Sequence, residues 1–562
     1  MGNERVQVSD TRAEERRASL GRAPSPIPVE LLPRAATVAT ARVVLVQPPA
    51  VVFPQSLSTT GPVPPLGLAY LAAALRHAGH HVRLIDAVGE GAGSAEDFRS
   101  AVGTLRRIGL SPAEIVDRID PDVQLIGLGH MFLHEWPLVR ETAERARARF
   151  PDVPIICGGE NATAYWRWMF EQTDALDAVV LGEGELTAIR IADRVAEGRS
   201  FHDLPSVVPA VGRAEGRSSD PPGSDRAPGL PDRIRRLDAI PAPAWDLVPL
   251  DRYWRDGNFL GVQKGRSMPM LATRGCPYRC SFCSSPQMWT TRYSVREPAE
   301  VVDEISGYVE RYGVDDIDFC DLTAITKRQW TLDLCDELER RDLGITWQLP
   351  IGTRSEALDA EVLRRLWETG CRNITYSPES GSPRMLARWD KRLDLDHLLA
   401  SMRAASATGL TVHMNTIIGH PDETVRDLLL TWRLFIRCAL AGCDTGSPIM
   451  FCPYPGSADF TALVEAGRVD VDDHYVYIAL SRGSSAHRSF NPRLSGRTLR
   501  LVQLAMLATF YAIGVARRPR RLVSYARAVF RQGHETDQFE MMLRVKLRSV
   551  LGLKGRRGAT SK

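Results

Sequence analysis

From position 41 onward, short and almost uninterrupted apolar runs alternate with longer stretches in which apolar residues recur every three or four positions. Val43-Val44-Leu45-Val46, stopped by Pro48-Pro49, is the first run, and a helical pattern follows over 66–78, closed by Gly79. Further runs lie at 82–86, 125–129, 154–159 and 178–182, with a helical pattern over 136–150. Strands this apolar are buried on both faces, and their alternation with helices predicts an α/β domain built on a doubly wound parallel sheet. A second series starts near Pro269, with runs at 270–273, 317–320, 346–351, 373–376, 412–417 and 447–451. Six strand–helix units in succession predict a partial (β/α)6 barrel, an incomplete relative of the eight-fold one.

The flanking segments read differently. Residues 1–38 are polar, Arg-rich and then Pro-rich, which predicts a disordered tail. The Gly-, Pro- and Ser-rich stretch 212–232 marks a linker, assigned as 206–262 between a sheet domain at 39–205 and a barrel at 263–460. A helical, basic region fills 461–562, with 12 Lys or Arg against 3 Asp or Glu over 517–557. Its apolar run 501–516 contains Gln503 and Thr509 and is shorter than the roughly 18 apolar residues of a membrane span. The favoured reading is a cap on the open side of the barrel; the other is an interfacial helix in peripheral contact with an anionic membrane.

Composition narrows the function. A chain of 562 residues suggests two or three domains, and 44% hydrophobic with 25% charged residues allows large cores. A net charge of +3 gives no signature of nucleic-acid binding. Ten cysteines without an export signal fit a cytoplasmic protein whose thiols stay free or bind metal.

Three of those cysteines fall within eight residues, Cys276-Pro277-Tyr278-Arg279-Cys280-Ser281-Phe282-Cys283, at the end of a predicted barrel strand. Strand carboxyl ends are where such barrels place chemistry. Three thiolates on a 4Fe-4S cluster leave one iron open to a chelating ligand. A structural zinc site is the alternative, but no fourth Cys or His lies at zinc-finger distance and the next cysteine is Cys320. The Cys-x3-Cys-x2-Cys spacing, with an aromatic before the last cysteine, resembles the radical S-adenosylmethionine (SAM) superfamily. That resemblance implies a 4Fe-4S cluster on Cys276, Cys280 and Cys283 that binds S-adenosyl-L-methionine and cleaves it to a 5′-deoxyadenosyl radical.

The resemblance continues along the barrel. Glu379-Ser380-Gly381 looks like the family's Glu-Ser-Gly segment beside SAM, although a strand-to-helix turn with an N-cap serine gives the same letters. Ile418, Gly419 and Pro421 resemble the segment that packs on adenine. Cys320, Asp321 and Tyr454 stand at other strand ends and are candidates for catalytic or substrate contact; Arg354 reads equally well as a structural ion pair. A doubly wound sheet ahead of such a barrel resembles the cobalamin-binding branch. Gly129, Gly158, Gly159, Gly182 and Gly184 then let backbone approach the cofactor at the strand ends. The Asp-x-His-x-x-Gly motif with a cobalt-ligating histidine is missing from 41–190; His130 and His134 follow the third strand and are the nearest candidates.

Taken together, these resemblances imply a cobalamin-dependent radical SAM methyltransferase acting on a carbon of a small-molecule or lipid natural product. Its electrons would come from a flavodoxin- or ferredoxin-like one-electron reductant. Two alternatives stay open: a cobalamin radical SAM cyclase or rearrangement enzyme, and a non-catalytic cofactor-binding sensor or assembly protein.

Overall fold

The computed structural model describes residues 39–54, 62–210, 233–257, 260–262, 265–482, 487–519 and 521–523. The tail 1–38, the heart of the linker at 211–232 and the basic stretch from 524 lie outside them.

The first module is a six-stranded sheet. Its strands are β1 (Arg42–Gln47), β2 (His81–Asp86), β3 (Leu125–Gly129), β4 (Ile155–Gly158), β5 (Ala178–Val180) and β6 (Val207–Pro209). The order is β2-β1-β3-β4-β5-β6; β1 to β5 are parallel and β6 runs antiparallel to β5. Helices α1 (Leu66–His77), α2 (Trp136–Arg149), α3 (Glu160–Gln172) and α4 (Glu185–Ala196) form the crossovers. Five strands and two helices thus stand where hydrophobic periodicity predicts them. Sequence reading missed β6 and a small antiparallel sheet of 50–52, 95–100 and 103–108. Its outer strand, Ala95–Ser100, is largely exposed and polar, so no apolar run announces it.

The second module is a parallel sheet in strict chain order: β7 (Ser267–Met270), β8 (Asp316–Phe319), β9 (Thr346–Thr353), β10 (Cys371–Glu379), β11 (Thr411–Ile418) and β12 (Thr445–Met450). Helices α5 (Pro298–Tyr312), α6 (Arg328–Arg341), α7 (Ala360–Glu368), α8 (Leu395–Thr408) and α9 (Val425–Ala441) alternate with them. This is the open (β/α)6 barrel. Its first strand lies three residues earlier than the run at 270–273, because the chain leaves the sheet after Met270 and forms a two-residue ladder, Thr273–Arg274 with Ser294–Val295. Pro269 is tolerated inside β7 because β7 is an edge strand.

One boundary needs correction. Residues 206–262 are not simply a linker. β6 completes the first sheet, and a helix at Leu250–Asp256 buries Tyr253, whose hydroxyl donates to Asp86 at 2.9 Å. Trp245 and Tyr253 are each 1% exposed and join one apolar cluster that runs from α1 of the first module to β7 and α5 of the second. The C-terminal apolar run forms α10 (Gly496–Arg517), which packs on α9 and covers β12. Gln503 Nε2 donates to Pro448 O on that edge strand at 2.7 Å. The polar residue within the apolar run therefore satisfies the barrel's open edge, in keeping with the cap reading.

Candidate functional site

The cysteine loop leaves the Thr273–Arg274 ladder through Gly275, whose φ of +88° and whose pro-Cβ position 2.2 Å from Arg292 O exclude any side chain. A turn follows, with Cys283 N donating to Cys280 O at 3.0 Å. Ser281 ties the loop to the barrel: its N–H donates to Trp389 O at 3.2 Å and its hydroxyl to Asp459 at 3.0 Å. Phe282 packs edge-on against Trp389, ring centres 5.4 Å apart.

The three thiols are half-buried. Burial pushes all three upward, and at Cys280 and Cys283 the neighbouring thiols add to that shift, so the three lie within electrostatic reach of one another. At Cys276 and Cys280, Lys391 and Arg354 pull the other way and favour thiolate. Among the described residues, no three His, Cys, Asp or Glu side chains converge on a point where a single metal ion would sit. A cubane asks for something else, three thiolates spread over three irons, and three half-buried thiols on one loop beside two cations suit it.

Glu379 ends β10 in a left-handed conformation, φ +63°, that a glutamate adopts at a cost. Its buried carboxylate accepts from Lys391 Nζ at 3.0 Å. Burial raises its pKa, and Lys391 and then Arg354 oppose the rise. Arg354 is more than the ion pair with Glu356 at 2.5 Å: its guanidinium lies 3.7 Å from the centre of the Tyr278 ring, inside the cysteine motif. Nothing in its local sequence marks Lys391 for this place.

Several candidates are committed elsewhere. Ser380 is fully buried and hydrogen-bonds Thr431 at 2.9 Å, away from any ligand role for its hydroxyl. Ser382, not Ser380, caps the following helix. A Cβ on Gly381 would sit 2.2 Å from Leu430 O, so this glycine serves the close approach of α9. Asp321 accepts from Ala272 N, Thr273 N and Thr273 Oγ1, and so pins the ladder before the cysteine loop instead of facing substrate. Cys320 stays half-buried with its thiol 3.5 Å from Asp318 O. Tyr454 is half-buried beside Arg482, and burial raises its hydroxyl to about 12. Gly419, φ +83°, lets Leu499 of α10 pack closely and donates to Glu423 at 2.5 Å; Ile418 and Pro421 are buried next to it.

On the first module, Gly159 has φ +125° and a pro-Cβ 2.6 Å from His130 O, and Gly129 abuts Leu68 at 3.0 Å. The protein's own packing requires both. Gly158 and Gly184 meet nothing closer than 3.6 Å, which leaves room at the strand ends. Gly182, φ +72°, donates to Thr163 Oγ1 at 3.0 Å. His130 is no solvated loop residue. It is fully buried beneath Trp136, bonded to Asn161 at 3.1 Å, and burial lowers it to about 3. His134 stacks on Phe132, ring centres 5.6 Å apart. Beside them, Met131 (55% exposed) and Phe132 (44%) are presented at the end of β3.

The two modules meet at the cysteine loop. Glu183 accepts from Arg233 at 3.0 Å and from Arg274 at 3.1 Å; Glu185 accepts from Arg274 at 2.7 Å, with all four side chains at most 10% exposed. Glu160, the first residue of α3, accepts from Ser284 Oγ at 3.3 Å. The carboxyl ends of β4 and β5 therefore grip the residues on either side of the three cysteines. In the run Gly182-Glu183-Gly184-Glu185 it is the glutamates, not the glycines, that make the junction.

The geometry agrees with what the chain resembles. Residues 56–192 match the model of the B12 binding domain, and residues 270–434 that of the radical SAM superfamily. The chain belongs to the cobalamin-binding radical SAM enzymes. This enzyme is 29% identical over 417 residues to an uncharacterized methyltransferase of Pyrococcus horikoshii, covering 74% of this chain and 82% of that one. It is 26% identical over 415 residues to the anaerobic magnesium-protoporphyrin IX monomethyl ester cyclase of Rubrivivax gelatinosus, covering 74% and 68%. Its fold matches that of the radical SAM methyltransferase TsrM of Kitasatospora setae, solved with cobalamin and a 4Fe-4S cluster, with a TM-score of 0.58 at 18% identity over 84% of this chain and 89% of that one. The cofactors of this radical SAM enzyme are accordingly a 4Fe-4S cluster, SAM and cobalamin.

Proposed function

We propose that the enzyme moves a methyl group from cobalamin to a carbon of a small-molecule or lipid substrate. The observation that carries this reading is the junction itself: Glu183, Glu185 and Glu160 hold the strand ends of the B12 module against the loop of Cys276, Cys280 and Cys283. When bound, the cluster with SAM supplies a hydrogen-abstracting radical and cobalamin supplies the methyl group. The chain's own residues then have defined tasks. The three cysteines hold the cluster and leave one iron for SAM. Glu379, fixed by Lys391, accepts from the SAM amino group or ribose. Ile418 and Pro421, buried at the end of β11, pack against the adenine, while Gly419 gives its N–H to Glu423 and shapes that turn. Gly158 and Gly184 leave space for the corrin, beside the exposed Met131 and Phe132. A flavodoxin- or ferredoxin-like carrier of the cytoplasm delivers the electron.

Anaerobic incubation of cluster-reconstituted enzyme with cobalamin, reductant and labelled SAM tests the reading. Methyl transfer yields 5′-deoxyadenosine and S-adenosylhomocysteine together, and Cys280→Ala abolishes the first. Deoxyadenosine without S-adenosylhomocysteine supports the second reading, a cyclase or rearrangement enzyme, which the likeness to the protoporphyrin ester cyclase favours. Bound cofactors with neither product would point to a non-catalytic role.

A further inference from the structure

Seven of the nine large hydrophobic side chains exposed among the described residues lie on α9, on α10 or in the turn just after it. On α9 they are Val425, Leu429 and Leu440, between 49% and 58% exposed; on α10, Leu501 at 68% and Leu504 at 42%; beyond it, Leu522 and Val523. The two helices are parallel neighbours in register. Leu499 packs at Gly419, before α9; Phe510 meets Phe435 at mid-helix, 5.0 Å between rings; Arg518 pairs with Asp444, after α9, at 2.9 Å. Each helix thus turns an apolar row to solvent on the flank of the barrel.

The charges that the two helices themselves turn to solvent are all arginines, of which Arg437 is paired with Asp396 of α8 at 2.7 Å. The two helices carry six arginines, of which Arg426, Arg433, Arg437, Arg497 and Arg517 are exposed. Their one acid, Asp427, is buried and caps α9. An apolar strip beside arginines is complementary to a bilayer surface with anionic headgroups, where each such cation adds to the attraction. A second copy fits less well, because a two-fold contact between these faces would set arginines against arginines. Nor does α10 cross a membrane, although its length and mean hydropathy would allow it: its other face, with Leu499, Met506 and Phe510, is in the core, and Gln503 is bonded to β12.

We propose that the α9–α10 face is a docking surface for anionic membranes, so that the enzyme lies on the bilayer through the flank of its barrel. The test is co-flotation of the full-length holoenzyme with vesicles of phosphatidylcholine, with and without phosphatidylglycerol, at low and high salt. The expected result is binding to the anionic vesicles that weakens with salt and falls roughly tenfold or more in Leu429→Glu/Leu501→Glu and, separately, in Arg426→Glu/Arg433→Glu. All four positions are at the surface, and unchanged melting temperature and cobalamin absorbance verify the fold of each variant. Failure of the wild-type enzyme to float, or flotation that neither variant alters, overturns the proposal. So does a wild-type dimer that Leu429→Glu/Leu501→Glu dissociates, since the face then belongs to a second copy. The assay reads binding, not turnover, and its outcome is separate from that of the methyl-transfer assay.

Discussion

Glu423, on the turn after β11, has no exposed surface, and its two carboxylate oxygens are treated unequally: Oε2 accepts from Gly419 N, whereas Oε1 meets no donor among the described residues. Burial, with Asp427 adding to it, raises this carboxyl from about 4.5 to about 8, so the folded enzyme keeps it protonated at neutral pH. The unfolded chain releases that proton above about pH 4.5. A raised folded pKa contributes stability that is complete below the unfolded value and is lost as pH rises toward the folded one, here between about 4.5 and 8. Glu423→Gln keeps the acceptor for Gly419 and removes the titration. Its stability relative to wild type should therefore grow with pH by on the order of 1 kcal/mol per unit across that window, read from denaturant unfolding at several pH values. A constant difference would mean that Glu423 is ionised in the fold. At this scale the sequence is legible where chemistry is contiguous. Three cysteines within eight residues identify themselves, whereas Lys391, Arg354 and the pair Glu183 and Glu185 reach the same loop from three separate turns, and no spacing rule links them.

The cysteine loop depends on the element that launches it. A methyl group at Gly275 would meet the backbone carbonyl of Arg292 at 2.2 Å, at a φ that L-residues avoid. Gly275→Ala should displace the loop from its strand and lower bound iron and sulfide after reconstitution severalfold, while the first module still binds cobalamin. Iron content equal to wild type would show that the loop tolerates the shift. Legibility of elements follows the same logic of continuity. β1 to β5 and β8 to β12 are apolar runs between helical periods, and they stand within a few residues of their expected places. β6 has three residues, and in the antiparallel sheet at 50–108 the one apolar strand, Ala50–Val52, is equally short while 95–100 and 103–108 are largely polar, so neither has the length or the alternation that a sequence can display. Residues 233–256 read as linker because their buried aromatics, Trp245 and Tyr253, are scattered among prolines and charges; burial between two modules shows no period.

Across the whole molecule, a single guanidinium carries much of the coupling. Burial alone would disfavour a charged Arg274, but Glu185 and Glu183 outweigh it and raise its pKa, and the guanidinium also lies 5.1 Å from the centre of the Tyr70 ring on α1. Arg274 belongs to the barrel module and its partners to the B12 module, so this network both joins the modules and fixes their distance at the cysteine loop. Removing one member of a buried ion pair strands the other and costs about 3–5 kcal/mol, whereas removing both costs much less. Arg274→Met should therefore be strongly destabilising, Glu185→Gln less so, and the double variant less than their sum, a coupling of about 1–3 kcal/mol in a double-mutant cycle. Arg274→Met should also split a single thermal transition into two, because each sheet keeps its own core while the junction between them is lost. Additive effects in the cycle, with one transition retained, would mean that the shared apolar cluster through Trp245 and Tyr253 holds the modules together and that the arginine only sets the loop.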